Sequence, residues 1–430
     1  MQEKQTDTTQ ELNYAALIGI DWSDEKHDVH LRVCETGQEE SKVIKGTPEA
    51  LDEWIQQLRK RFEGRPVAIC LEQSRGMLVY ILMAHDFITL YPINPAMSAK
   101  YRQAFTPSHA KDDPTDARLM MELLLYHRDR LIAWKPDNVQ TRTLARLCEE
   151  RRAAVNLRTK LVQKLNAKLK IYYPQALTLT GENLSSTLAC DFLLKWPSLA
   201  KAKKVKPAKV RAFYYGHNCR SESLIQERIK LLATAKSATT DEAILIPLVA
   251  SVKMLARLIR DLYPAIKDFD EQIKALFAQH PDAHIFNSLP GAGEALAPRL
   301  LVSFGSDRNR YSSAAEVQQF SGIAPVTERS GKQTWIHRRW QCPKFTLQSF
   351  HEFAQHSIGW SAWANAYYQF YKTKGKKHHV IVRALAFKWI RIIFACWKNH
   401  RSYDEAKYLE TLHRRGSPLC EYLGKPALVA

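Results

Sequence analysis

The chain of 430 residues is short of acids relative to bases, and it has no paired cysteines and no long uncharged apolar run. Its eight cysteines stand at 34, 70, 148, 190, 219, 342, 396 and 420, never as C-x-x-C, which excludes a zinc knuckle and a dense disulfide framework. A reducing cytoplasm fits that usage. His27 and His30 fall on opposite faces of a predicted strand and His378 and His379 are adjacent, so neither pair has metal-ligand spacing. No P-loop lysine motif is present, so ATP is not indicated as an energy source. The opening MQEKQTDTTQELN has no apolar h-region and reads as neither signal nor transit peptide. The longest apolar stretch, Val380 to Trp397, is broken by Arg383, Lys388 and Arg391, which argues against a membrane span.

What is present is positive charge: 63 Lys and Arg against 44 Asp and Glu leave a formal +19. That excess suits any polyanion, whether DNA, RNA or an acidic membrane. Apolar content of 45% supports ordinary cores and excludes a disordered tail protein. The three cations of the Val380 to Trp397 stretch fall within an arc of about 140° on a helical wheel, opposite Leu385, Trp389, Ile392, Ile393 and Cys396. This is a basic-faced amphipathic helix, either a core helix with a solvated charged face or a contact for a polyanion.

Along the chain, ALIGIDW (16 to 22) and HDVHLRV (27 to 33) read as a hairpin, with a third strand near 40 to 45. A helical period over 47 to 62, the strand PVAICLE, a helix from about 75 to 85, the strand FITLYPI and a helix from Pro95 to Phe105 complete an α/β order of the ribonuclease-H-like type. From Asp116 the pattern turns helical, and 142 to 173 repeats Leu144, Leu147, Val155, Leu161, Leu165 and Leu169 as a coiled-coil arm would. The run AKAKKVKPAKVR (200 to 211) has no acid and includes Lys203 and Lys204; it reads as an exposed linker or a phosphate-contacting segment. A second compact region opens near Ile285. Its Pro290-Gly291-Ala292-Gly293 is a loop entering a buried helix, or backbone N–H groups placed for a phosphate.

Asp21 ends the first strand and Glu72 ends VAICLE, at the carboxyl edge where α/β sheets place ligand-binding groups. In KDDPTDA, Asp116 shares a helical face with both Asp112 and Asp113, and periodicity does not choose between those two. Helix capping explains these acids without chemistry. As a set, however, four converging carboxylates would repel unless a cation neutralised them, and Mg²⁺ prefers such an all-oxygen site. A site of this kind handles phosphate esters.

GIDWS with Asp21, CLEQS with Glu72, and KDDPTDA with Asp113 and Asp116 resemble the DEDD motif of a transposase family of insertion sequences. The stretch from LPGAGEALAPRL through FSGIAPVTERSGK to HHVIVRALAFKWIRIIFACW resembles the same family's C-terminal domain. The resemblance implies an α/β plus all-α fold. A disordered tail over 1–14 would precede a RuvC-like catalytic domain over 15–130, a helical coiled-coil and linker region over 131–284, a mainly helical transposase domain over 285–400 and a C-terminal tail over 401–430. It selects Asp113 over Asp112 and assigns the acids to one or two Mg²⁺ ions, with Mn²⁺ as a substitute. It further implies a nucleophilic serine in an S-G-K-like loop, which is Ser330 here, although many members carry a doubled Ser and Gly where this chain has Arg329 before one of each. A serine before glycine is otherwise an ordinary turn residue. Arg329, Lys332, Arg338 and Arg339 would offset phosphate charge.

The activity so implied is recombination through a covalent phosphoserine on donor and target DNA. A noncoding bridge RNA would act as guide, and the site would be joined across subunits of a homodimer or homotetramer with the 142 to 173 arm dimerising. Such an enzyme would work in the bacterial cytoplasm at the nucleoid. Two other readings remain: a metal-dependent, structure-specific endonuclease with water as nucleophile, and a basic nucleic-acid scaffold without catalysis.

Overall fold

A computed structural model describes residues 14–105 and 113–424. The chain divides into two compact units, residues 1–136 and 137–430.

The first unit is built on a five-stranded sheet. Its strands are β1 (Ala16–Trp22), β2 (Lys26–Val33), β3 (Glu39–Lys45), β4 (Val67–Leu71) and β5 (Ile88–Pro92), in the order β3-β2-β1-β4-β5. The first three pair antiparallel, while β1, β4 and β5 run parallel. Helix α1 (Pro48–Arg61) shows how local sequence sets the crossover. Thr47 caps it by accepting from Ala50 N, Pro48 suits the first turn, and Arg59, Lys60 and Arg61 complement the dipole at its end. Leu51, Trp54, Ile55 and Leu58 recur at helical spacing and bury on the sheet. Helix α2 (Met77–Leu82) joins α1 on this face, over Ile18, Ile20, Ile69 and Leu71.

The opposite face carries Leu17, Ala68 and Cys70, covered by Met120, Met121 and Leu124 of a later helix. Because β4 is buried on both sides, its sequence VAICL is a continuous apolar run instead of an alternation. The unit is completed by α3 (Pro95–Phe105) and α4 (Asp113–His127). At Gly19 any Cβ would stand 1.9 Å from the Ala117 carbonyl oxygen, so only glycine lets α4 lie this close to β1. The sheet order and its helical cover give the RuvC-like α/β architecture.

The second unit begins with α5 (Val139–Tyr172), capped by Asn138, which accepts from Thr141 N. Next come α6 (Gln175–Thr180), α7 (Thr187–Lys195), α8 (Leu199–Lys203), α9 (Pro207–Gly216), α10 (Glu222–Thr234) and the long α11 (Glu242–Ala278). Leu165 and Leu169 share a core with Val252, Leu255 and Ile259, whereas Leu144 and Cys148 share another with Ile273 and Phe277. The start of α5 therefore meets the end of α11, and the two form an antiparallel pair within one chain. The basic run 200–211, read as an exposed linker or a phosphate-contacting segment, is largely exposed but helical. Ser198 caps α8, Pro207 opens α9, and Leu199, Ala202 and Val210 enter the core.

The remaining elements are α12 (Ala283–Asn287), α13 (Gly293–Phe304), α14 (Ala314–Phe320), the hairpin β6 (Val326–Ser330) and β7 (Gln333–His337), α15 (Lys344–Ser357), α16 (Ala362–Thr373), α17 (His378–Lys398) and α18 (Glu405–Arg414). They surround α17, which is a core helix: Leu385, Trp389, Ile393 and Trp397 are fully buried. Its cations do not form a uniform solvated stripe, since Lys388 lies over the Trp363 and Tyr367 rings while Arg391 is exposed. The buried indoles are satisfied: Trp363 Nε1 donates to the Tyr403 hydroxyl, Trp389 Nε1 to Ser357 and Trp397 Nε1 to the Gly305 carbonyl. Within the described residues beyond 400, Leu412 of α18 enters the same core.

Candidate active site

Strand alternation decides which way the acids point. Ile18 and Ile20 face α1, so Asp21 falls on the α4 side of the sheet, and by the same period Glu72 follows Cys70 to that side. Burial first, and then the charge of Glu72, push the Cys70 thiol up. Asp116 reaches the same side because Ala117, its neighbour, packs on Gly19, two residues before Asp21. The side chain of Asp113 lies outside the described residues.

Two residues not anticipated from sequence hold the acids. Ser98 of α3 donates to Glu72 Oε1 and also to the Pro95 carbonyl at 3.0 Å. Arg102, one turn further along α3, places Nε 2.8 Å from Asp116 Oδ1, a contact of opposite charges without hydrogen-bond angles. Asp116 is only 6% exposed, so its charge needs this partner. The i, i+4 spacing of Ser98 and Arg102 was visible in the sequence, but it acquires meaning only once α3 is placed against the sheet. The oxygen-only donors suit Mg²⁺. Among the described residues no three acidic, histidine or cysteine side chains stand close enough to hold a metal ion.

Ser330 belongs to the second unit and sits not in an irregular loop but at the end of β6, paired in register with Gln333 across a two-residue turn. Gly331 in that turn has φ +57°, the left-handed region glycine tolerates. The Ser330 hydroxyl is exposed and hydrogen-bonds to no described side chain or backbone group. Arg329, Lys332 and Arg338 are exposed along the same hairpin, Arg338 stacks 4.8 Å from the Trp340 ring centre, and Arg339 is half-buried. Of the more distant cations, Lys203 donates to the Ala235 carbonyl at 2.9 Å, a helix-end contact, and Lys204 is exposed.

A family model described as Transposase, of the DEDD type of IS110, matches residues 18–174, and one described as Transposase IS116/IS110/IS902 family matches residues 283–369. Together they span more than half of the chain. The chain belongs to the IS110-type transposase family.

The mini-circle putative transposase for IS117 of Streptomyces coelicolor is 26% identical over 403 residues, covering 91% of this chain and 96% of the relative. An uncharacterized 42 kDa protein of insertion element IS900 from Mycobacterium paratuberculosis is 25% identical over 374 residues, 85% of this chain and 91% of its own length. This transposase is thus an enzyme that acts on DNA. Among its described residues no helix is long and apolar enough to cross a membrane.

Proposed function

We propose that this transposase cuts and rejoins DNA with Ser330 as nucleophile, that Asp21, Glu72, Asp113 and Asp116 hold one or two Mg²⁺ ions, and that a noncoding bridge RNA guides it. The observation that carries the serine reading is the presentation of Ser330: an exposed hydroxyl beside a tight turn, flanked by Arg329 and Lys332. In the first step Ser330 Oγ bonds to phosphorus, the bond from phosphorus to a deoxyribose oxygen breaks, and that oxygen leaves as a hydroxyl with the proton the serine gives up. In the second, a hydroxyl of the new strand attacks the phosphoserine, restoring a phosphodiester and the free serine. Bond energy is conserved across the two steps, consistent with a chain that has no P-loop. Arg329 and Lys332 offset the phosphate charge throughout. Bound Mg²⁺ would supply polarisation of phosphoryl oxygens.

The enzyme is proposed to act as a homodimer or homotetramer in the bacterial cytoplasm at the nucleoid, with the acids of one subunit serving the serine of another. Ser330→Ala tests the nucleophile: denaturing gels of the variant on a nicked substrate should show no covalent protein-DNA adduct and no strand exchange. A second reading, a metal-dependent endonuclease using water, is favoured by the lack of a general base hydrogen-bonded to Ser330 among the described residues. Undiminished cleavage by Ser330→Ala would select it. Recombination by protein freed of RNA would exclude the guide.

A further inference from the structure

Away from the acids, the second unit gathers basic side chains from several elements, two arginines and a set of histidines. His351 of α15 lies 6.2 Å, ring centre to ring centre, from His379 at the start of α17, and His379 lies 5.1 Å from His378. His378 Nδ1 is 3.0 Å from the Tyr368 hydroxyl. Arg383, one turn along α17, and Arg338, just after β7, complete the group. Among the described residues none of His351, His379, Arg338 and Arg383 pairs with an acid. Burial first, then His379, Arg383, His378 and Arg338, hold the His351 imidazole below its ordinary range. Burial, followed by Arg338, lowers Arg383. Like charges brought together without an internal counter-charge cost free energy in the free protein, and an incoming anion relieves that cost.

The patch does not end at these residues. Trp335 and Trp340 are 43% and 68% exposed on and beside the hairpin, Arg338 stacks on Trp340, and Arg329 and Lys332 continue the positive charge to Ser330. The one acid on the ribbon, Glu328, faces His337 at 3.5 Å, and the remaining cations and exposed flat rings match a polyanion that itself carries flat rings. A small anion would use only the cluster and leave the tryptophans unexplained.

We propose that His351, His379, Arg338 and Arg383 form a phosphate-binding cradle for the DNA strand whose scissile phosphodiester meets Ser330, with Trp335 and Trp340 as stacking surfaces for its bases. This rests on the reading of the hairpin as the DNA-contacting element, but not on the phosphoserine chemistry. The cradle lies at the base of the hairpin, where His337 pairs with Val326, and Ser330 lies at its turn, so it would hold the backbone of that strand a few nucleotides from the scissile phosphate, and neutral His351 takes up a proton as phosphate arrives.

Titration of a fluorescent DNA duplex with the full chain, at several salt concentrations, tests it. Arg338→Gln and Arg383→Gln should each weaken binding about tenfold and reduce the slope of log K against log salt by about one. Arg383→Lys should keep the slope, and melting curves followed by circular dichroism should match the native chain. Trp335→Ala and Trp340→Ala should weaken single-stranded DNA more than duplex. Affinity should rise as pH falls from about 7.5 to about 5.5, and His351→Gln should flatten that rise. Ser330→Ala should bind as the native chain does while forming no adduct. Native affinity and slope in the Arg338→Gln, Arg383→Gln double variant would overturn the cradle, whatever Ser330 does. A loss confined to RNA of the same sequence would overturn its assignment to DNA, and displacement by orthophosphate beyond its ionic strength would make it a small-anion site. Weakened binding in Arg383→Gln with an adduct retained in Ser330→Ala would overturn the nucleophile and leave the cradle standing.

Discussion

Arg102 and Asp116 show how single residues set the state of the acidic face. The ion pair is nearly buried, with side-chain exposures of 16% and 7%, so removing the cation takes a close counter-charge from a buried carboxylate. Arg102→Ala should lower stability in urea unfolding by up to about 3 kcal/mol, and millimolar Mg²⁺ should recover part of that loss if Asp116 is a metal ligand. A midpoint insensitive to Mg²⁺ would remove Asp116 from the metal set. His280 presents the inverse case. Its Nδ1 accepts from Asp282 N and its Nε2 faces the Thr141 hydroxyl at 3.0 Å, so the buried ring is neutral. Burial lowers its proton affinity in the folded chain. The unfolded state therefore binds more protons below about pH 6.5, and stability is full above that value and lost as pH falls. The slope from this one group is at most about 1.4 kcal/mol per pH unit. His280→Gln should flatten the acid limb of the stability profile, measured by urea midpoints.

At the scale of elements, the β6–β7 hairpin carries the serine, and its turn is the point at which presentation can be altered without disturbing a core. Nothing lies within 4 Å of a Cβ built at Gly331, so a substitution there meets no neighbour and only the backbone resists it, by about 1 kcal/mol. Gly331→Val should lower adduct formation severalfold with the melting temperature unchanged, and Gly331→Asn, which tolerates the left-handed region, should retain most of it. An equal loss in both would mean that the turn geometry is irrelevant to the chemistry. The first unit was legible in sequence because its elements announced themselves: short apolar runs bounded by polar residues in the strands and a helical period over 47 to 62. The hairpin was not read, because its strands are five residues each, lie between helices and are almost wholly exposed, so they carry no burial pattern. In the basic run 200–211 the helices went unread for the opposite reason: its charge outweighed the helix signals at Ser198 and Pro207. Ser98 and Arg102 could not be assigned, since tertiary packing alone turns their face of α3 toward the acids.

At the scale of the whole molecule, the acids and the serine reside in different compact units, and the sequence separation between Asp116 and Ser330 leaves open which chain completes which site. If the acids of one subunit serve the serine of another, two inactive variants repair each other. In a mixed dimer of Ser330→Ala with Glu72→Gln, the serine of the second protein meets the intact acids of the first, while the reciprocal site carries both lesions. Random exchange of subunits in a dimer should then restore roughly a quarter of the native sites, read as strand exchange after the two proteins are denatured and refolded together. Each variant refolded alone should remain inactive. A mixture no more active than its components would place serine and acids of a working site in the same chain. The intrachain pairing of α5 with α11 bears on how such subunits meet. Leu157 of α5 and Met254, Leu258 and Tyr263 of α11 remain about half exposed despite that pairing, so the arm keeps apolar surface for a partner even after its own chain has covered both ends. Leu157→Glu combined with Leu258→Glu should therefore abolish the complementation and lower the mass seen by light scattering, while leaving the binding of DNA by the hairpin in place.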